Sequence, residues 1–171
     1  MKYWYDTEFY EDGNRIHLIS IGIETEDGRE LYLENGEFDW EIVPPGHWLW
    51  KNVYPHLSHD KSYSKDAIAR EAHRFITNDY TELDNQLWGY YSAYDHVVLA
   101  QLFGTMVNMP PGIPWFTRCI KQELERIRET YHVPNLELPV QVSTEHHALE
   151  DARWTRKAHL HLIDVERLYN L

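Results

Sequence analysis

The feature that most constrains the fold is a nearly continuous apolar run at residues 15–25, rich in isoleucine and leucine. Such a run is typical of a strand buried on both faces of a sheet. An aromatic-rich run at residues 2–9 precedes it, and aromatic residues favour strands. The turn dipeptide Asp27-Gly28 follows it and leads into an alternating run at residues 30–34. Together these runs predict a three-stranded antiparallel meander.

The rest of the chain alternates between strand and helix patterns. Ser64 has the properties of a helix N-cap, and apolar residues recur at helical spacing from there to about Ile76. The patterns further predict a strand over 86–91 and helices over 94–103, 117–131 and 145–169. We therefore expect an α/β fold, a mixed β-sheet flanked by α-helices, in a single domain over 1–171.

Composition excludes several classes of protein. The formal net charge of −12 argues against non-specific binding to long duplexes, which depends on a basic surface. It leaves open an enzyme that handles nucleic acid through metal ions, which supply the positive charge. Cys119 is the single cysteine, so no internal disulfide can form and a reducing compartment fits. No apolar stretch approaches membrane-spanning length, so we expect a cytoplasmic protein with no membrane partner.

Two carboxylates lie close together on the first predicted strand. Asp6 and Glu8 are two residues apart, so they project from the same face, roughly 6–7 Å apart along the strand. Carboxylates that close repel each other unless a cation lies between them, and a hard divalent metal is the usual solution. Taken alone, the pair is also compatible with a solvated strand face.

Further acids occur where the predicted structure changes type. Asp95 lies at a strand-to-helix junction, where a first-turn acid can equally stabilise the helix dipole. Asp151 lies on the C-terminal helix, five residues after His146. Five residues turn a helix through about 140°, so His146 can face the same site only from a position at or just before the first turn. His147 is adjacent and is a second candidate for the same role.

The ordered set Asp6-X-Glu8, Asp95 and His146-X4-Asp151 resembles the DEDD superfamily of 3′→5′ exonucleases, in its histidine-containing (DEDDh) branch. The resemblance covers about the whole chain. The forms Tyr5-Asp6-Thr7-Glu8-Phe9, Tyr91-Ser92-Ala93-Tyr94-Asp95-His96 and Phe116-Thr117-Arg118 are most similar to RNase AS, the polyadenylate-preferring exoribonucleases. Many DEDDh members carry asparagine where this chain has Tyr91.

The resemblance implies an RNase H-like fold and two divalent metal ions, Mg²⁺ with Mn²⁺ as a substitute. It implies a carboxylate ligand set for these ions and a histidine that acts as general base. Carried over by position, the ligands are Asp6, Glu8, Asp95 and Asp151, with Glu8 also counted as catalytic, and the base is His146. Histidine titrates near neutral pH and can accept a proton from the attacking water.

The expected substrate is the 3′ end of single-stranded RNA, hydrolysed to nucleoside 5′-monophosphates. The adenylate preference, the product and a homodimeric state rest on the resemblance alone. Aromatic rings can stack on unpaired bases, although core packing is the ordinary role of such rings. We expect substrate contacts from residues of the first two motifs: Thr7, Phe9, Trp88, Tyr91 and Tyr94.

Three alternatives remain. A DNA 3′→5′ exonuclease differs from an RNase by contacts to the 2′-hydroxyl group, which sequence does not show. A non-catalytic RNA-binding module on the same fold predicts a missing acid or base, whereas all five positions are filled. A histidine-rich zinc protein is disfavoured because cysteine ligands are lacking.

Overall fold

A computed structural model describes residues 1–58, 62–77 and 84–169. Within these residues, six strands form one mixed sheet in the order β4-β3-β2-β1-β5-β6. The strands are β1 (Lys2–Glu11), β2 (Ile16–Thr25), β3 (Glu30–Asn35), β4 (Ser62–Tyr63), β5 (Gln86–Gly89) and β6 (Thr117–Cys119). The helices are α1 (Trp48–Asn52), α2 (Lys65–Thr77), α3 (Ala93–Leu102), α4 (Ile120–Thr130) and α5 (Ala148–Tyr169). The expected mixed sheet flanked by helices is confirmed.

The first three strands form the predicted antiparallel meander. β2 pairs with β1 on one side and with β3 on the other, and Gly28 makes the β2–β3 turn with a φ of 85°. Ile19, Ile21 and Ile23 of β2 are almost completely buried, as its apolar run predicts. β5 and β6 then extend the sheet in the parallel sense from the other edge of β1.

Helices cover both faces of the sheet. Tyr3 and Tyr5 of β1 pack in a core cluster with α2 and α3, whereas Trp4 packs in a second cluster with α4 and α5. The N-cap expected at Ser64 is confirmed, since its hydroxyl accepts a hydrogen bond from the backbone N–H of Ala67 at 3.2 Å. No helix in the described ranges is long and apolar enough to cross a bilayer.

Three predicted boundaries were wrong. Residues 117–119 form strand β6 instead of the first turn of a helix, because they pair with the carboxyl end of β5. The strand expected over 86–91 ends at Gly89. The C-terminal helix begins at Ala148 rather than at residue 145, because His146 adopts a left-handed backbone with a φ of 64°.

Gly22 positions helix α5 on the sheet. A Cβ atom at this residue would lie 2.2 Å from the backbone nitrogen of Leu149, so only glycine permits the contact. Gly22 is also the β2 residue opposite Asp6 in the β1–β2 register. The first turn of α5 is thereby placed beside the carboxylate pair on β1.

Candidate active site

The carboxylates Asp6 and Glu8 lie on the part of β1 that extends past its parallel neighbour. β5 pairs with β1 only as far as Trp4, so this edge of β1 is free of β5 from Tyr5 onward. Alternation along the strand places Asp6 and Glu8 on the same face as Trp4, the face covered by α4 and α5. Glu8 is buried, and an irregularity in the β1–β2 register follows it.

Asp95 reaches the same region from the first turn of α3. Its Oδ1 atom accepts two hydrogen bonds from Thr7, one from the backbone N–H at 3.0 Å and one from the hydroxyl at 2.6 Å. Both groups are buried. Thr7 was expected to contact substrate, but its N–H and hydroxyl are directed at Asp95. We therefore assign Thr7 the role of orienting this carboxylate.

Asp151 lies in the first turn of α5 and is fixed from both sides. Its Oδ2 atom accepts a hydrogen bond from the backbone N–H of His146 at 2.9 Å, and its Oδ1 atom accepts one from the side-chain amide of Gln141. Ligand atoms of Glu8, His146 and Asp151 all lie within 4.8 Å of one another. His146 was expected at or just before the first turn of the helix, and in the structure it precedes Ala148, the first residue of α5.

The two adjacent histidines point to different surroundings. The ring of His147 stacks on Tyr32 with 4.3 Å between the centroids, and its Nδ1 atom is buried without a hydrogen-bond partner among the described residues. The ring of His146 is partly exposed and contacts the edge of Trp48, with 4.5 Å between centroids. Of the two, His146 is therefore the histidine that faces the acids.

Asp6, Glu8, His146 and Asp151 line an open cavity of about 660 Å³. Residues 137–141 also contribute to the lining, and Gln141 lies beside Asp151. That segment is held in place by Trp154, whose indole N–H donates to the carbonyl of Pro139 at 2.8 Å. The cavity can therefore admit a nucleotide-sized ligand directly beside the acids.

The acids destabilise one another when all are ionised. Burial and the charges of Asp95, Glu8 and Asp151 raise the pKa of Asp6 well above its usual range. Burial and the charge of Asp151 raise the pKa of Glu8 to about 8. Burial raises the pKa of Asp95 to about 6, although the hydrogen bonds from Thr7 oppose the shift. Burial likewise raises the pKa of Asp151.

This donor set fits hard divalent cations. The described residues provide no lysine or arginine in an ion pair with any of these four acids, so their mutual repulsion is not relieved by the protein itself. Lys121 and Arg128 line the same cavity, but both pair with Glu125. Clustered carboxylate oxygens are the ligands that Mg²⁺ and Mn²⁺ prefer.

The structure separates the aromatic residues that were expected to bind substrate. Trp88 is buried in the second core cluster, where its ring lies 3.7 Å from that of His159 between centroids. His159 therefore covers part of the ring, and the expected contact of Trp88 with substrate stays a prediction. Phe9 and Tyr94 stack on each other with 5.7 Å between centroids, beside Asp95. Tyr91 is exposed and has a left-handed backbone with a φ of 55°.

Two contributors to the site were not found by sequence reasoning. Trp48 lies on α1, in a stretch for which the sequence predicts no regular element, and Gln141 lies in an irregular segment. No local pattern marks either residue, because both reach the site through tertiary contacts. Gly22 lies inside the strand pattern of β2, and a glycine in such a position often marks a place where another part of the backbone approaches closely. It could therefore have predicted the contact with α5.

The fold is that of exonuclease I. One exonuclease I structure matches 99% of this chain with a TM-score of 0.68, and a product-bound structure matches with a TM-score of 0.65, each at 16% identity. The chain spans only 42% of the first exonuclease I and 45% of the second. At this identity the similarity defines the fold, an RNase H-like sheet flanked by helices.

Sequence comparison defines the family. Residues 1–163 match the 3′-5′ exoribonuclease Rv2179c-like domain. The 3′-5′ exoribonuclease Rv2179c of Mycobacterium tuberculosis (strain H37Rv) is 42% identical over 156 residues, covering 90% of this chain and 88% of the relative. The 3′-5′ exoribonuclease MT2234.1 of the CDC 1551 / Oshkosh strain matches equally. The chain belongs to the Rv2179c-like 3′-5′ exoribonuclease family.

Proposed function

We propose that the protein is a metal-dependent 3′→5′ exoribonuclease that releases nucleoside 5′-monophosphates from single-stranded RNA. The observation that carries the proposal is the convergence of acids from β1 and α5 with a histidine at one open cavity, with the buried acid of α3 hydrogen-bonded to Thr7 between the two acids of β1. Membership in an exoribonuclease family supports the same reaction. The proposed catalytic domain spans residues 1–171.

In this proposal, Asp6, Glu8, Asp95 and Asp151 hold two divalent ions, Mg²⁺ or Mn²⁺. When bound, such ions stabilise the negative charge that develops on the phosphate oxygens and on the leaving 3′ oxygen. Thr7 and Gln141 fix the orientation of two of the carboxylates, so little reorganisation is required when substrate enters.

His146 is the proposed general base. Its ring is partly exposed and a ligand nitrogen lies within 4.8 Å of the carboxylate oxygens of Glu8 and Asp151, so it can accept a proton from a water positioned beside them. The hydrogen bond from its backbone N–H to Asp151 and the contact with Trp48 limit the movement of the ring. Glu8 would hold a metal ion as a ligand. It would also take part in the catalytic step, because it lies beside the position of the attacking water.

The finer substrate assignment is a preference for adenylate-rich 3′ ends, supported by the similarity of the motifs to RNase AS. Phe9, Tyr91 and Tyr94 are the proposed base contacts, since their rings lie in the motifs around the acids and Tyr91 is well exposed. We further propose a cytoplasmic location, supported by the single cysteine. A homodimer stays a prediction that rests on the resemblance.

The test is degradation of a 5′-labelled oligoadenylate, beside oligouridylate and matched DNA, in Mg²⁺, Mn²⁺ or EDTA. The wild type should give a metal-dependent ladder from the 3′ end of RNA, faster on oligoadenylate. Asp6→Asn should abolish it, whereas the exposed control Asp164→Asn should not.

Each part of the proposal has its own refuting result. Equal cleavage of DNA would refute the assignment of RNA as substrate, but the assignment of the active-site residues would stand. Equal rates on oligouridylate would refute the adenylate preference. Binding of RNA without cleavage in either metal would refute catalysis.

A further inference from the structure

A second cavity, distinct from the acidic one, lies where the carboxyl ends of β5 and β6 meet the N-termini of α3 and α4. We call it the β5–β6 crevice. Its volume is about 430 Å³, and its lining consists of Tyr91, Ser92, Ala93, His96, Phe116, Thr117, Cys119, Lys121 and Gln122. α3 packs on one face of the sheet and α4 on the other, so the crevice opens where the two helices diverge. Ligands of open α/β sheets bind in crevices of this kind.

Large aromatic rings are exposed at the rim of this crevice. Tyr91 is 61% exposed and Phe116 is 58% exposed, and the neighbouring Trp115 is 56% exposed. Exposed apolar residues that cluster on one surface indicate an interaction site, whereas scattered ones do not. Each ring presents a face on which an unpaired base can stack, whatever the base is.

The floor of the crevice is held by buried polar contacts. The hydroxyl of Thr117 lies 2.6 Å from that of Tyr5 and 3.1 Å from Nδ1 of His96, which ties β6 to β1 and α3. The crevice is therefore formed before any ligand arrives, which reduces the entropy lost on binding.

The crevice is adjacent to the acidic cavity. Lys121 lines both of them. Tyr90 lines the acidic cavity, and its ring contacts that of Tyr91, a lining residue of the crevice, with 4.6 Å between centroids. A chain with its end beside the acids can thus continue into the crevice without leaving the protein surface.

The charge around the crevice suits a polyanion, although the whole chain carries −12. None of the residues lining the crevice is acidic. Arg118 lies outside the lining itself, but its guanidinium is over the ring of Phe116 at 5.3 Å from the centroid, and among the described residues Arg118 makes no ion pair. Lys121 adds a second cation, which pairs with Glu125 at 2.5 Å. Cations beside exposed rings are the combination that single-stranded nucleic acids require.

We propose that the β5–β6 crevice binds the unpaired nucleotides that lie two or more positions upstream of the 3′-terminal nucleotide of the RNA substrate. This inference rests on the proposed function, since it places the terminal nucleotide beside the acids. Bases of the preceding nucleotides stack on Phe116 and Tyr91, and Arg118 neutralises a phosphate. The enzyme therefore recognises an unpaired 3′ segment of several nucleotides rather than the terminal nucleotide alone.

The test compares an adenylate dinucleotide, too short to reach the crevice, with a hexanucleotide. In the wild type, KM for the hexanucleotide should be lower. Phe116→Ala should raise the KM for the hexanucleotide about fivefold or more, because fivefold corresponds to the weakest effect of losing one stacked base. The value of kcat should stay the same. The control Tyr63→Ala removes an exposed ring at the opposite edge of the sheet and should keep the length dependence of the wild type.

Two results would overturn the inference. The first is a Phe116→Ala variant with unchanged length dependence. The second is a variant that loses dinucleotide and hexanucleotide cleavage equally, which would mean that the ring supports the catalytic centre. Thermal unfolding of each variant shows whether it is folded.

A binding measurement separates this inference from the proposed function. Fluorescence anisotropy of 5′-labelled hexaadenylate is measured with Asp6→Asn, with and without Phe116→Ala, in Mg²⁺. If the wild type cuts no RNA but this binding depends on Phe116, the proposed function fails and the crevice remains an RNA site. If hexaadenylate binds Asp6→Asn equally tightly with and without Phe116→Ala, the crevice does not bind the RNA and the inference fails.

Discussion

Replacing Glu8 by glutamine should stabilise the metal-free protein at alkaline pH. Its buried carboxyl group has a pKa of about 8 in the fold, against 4.5 for the unperturbed side chain. Since the folded-state pKa is the higher one, the protonated form favours folding. The resulting stabilisation is complete below pH 4.5 and is lost as the pH rises through 8.

The size of the effect follows from the two pKa values. Each pH unit between them corresponds to about 1.4 kcal/mol, so ionising Glu8 lowers the free energy of unfolding by about 4 kcal/mol between about pH 5 and about pH 9. For a protein of this size, that free energy corresponds to a change in Tm of about 10 °C. Glu8→Gln keeps the shape of the side chain and removes the charge.

The assay is thermal unfolding in EDTA at both pH values. Glu8→Gln should match the wild type near pH 5 and melt about 10 °C higher near pH 9. Glu11→Gln, at the exposed end of the same strand, should follow the wild type throughout. Excess Mg²⁺ should raise the Tm of the wild type more than that of Glu8→Gln. Equal Tm values for the two proteins near pH 9 would refute the argument that buried, unpaired charge destabilises this site.

Further substitutions test other parts of the site. His146→Ala should lower kcat by about 10²–10⁴-fold, which is the usual contribution of a general base. His147→Ala should reduce stability more than it reduces kcat. The opposite pattern would mean that His147 is the base. Gly22→Ala should lower the free energy of unfolding by about 1–3 kcal/mol or more in denaturant titrations, because a Cβ would meet the backbone of Leu149, and activity should fall with it. Trp48→Ala removes a ring that is 50% exposed, so it should lower kcat with little change in Tm; an unchanged kcat would mean that the contact with His146 has no role in the reaction.

Sequence patterns placed the acids correctly in the architecture because each acid is tied to a local signal. Asp6 and Glu8 follow from strand alternation, and Asp95 follows from a strand-to-helix junction. The angle between His146 and Asp151 on a helix required the histidine to lie at or just before the first turn, and in the structure it lies before it. Their roles in binding metal and in proton transfer stay predictions.

The features that were missed depend on contacts between distant parts of the chain. Residues 117–119 carry no strong strand pattern, and pairing with β5 decides their conformation. Trp88 is a residue type that often stacks on bases, but the packing of His159 on its ring makes it part of the core. Propensity and motif position are local, whereas these outcomes are decided by tertiary packing.

The contact between Gly22 and the start of α5 has a consequence for how the protein acquires activity during synthesis. β1 supplies half of the acids early in translation, whereas α5 emerges much later; the contact of Trp4 with His159 joins residues 155 positions apart. Until α5 docks against Gly22, Asp151 and His146 are absent from the site and the nascent chain carries only a partial one. In the proposed mechanism, a ribosome-bound chain that lacks α5 therefore has neither the general base nor the fourth acid, so activity requires that α5 has folded onto the sheet.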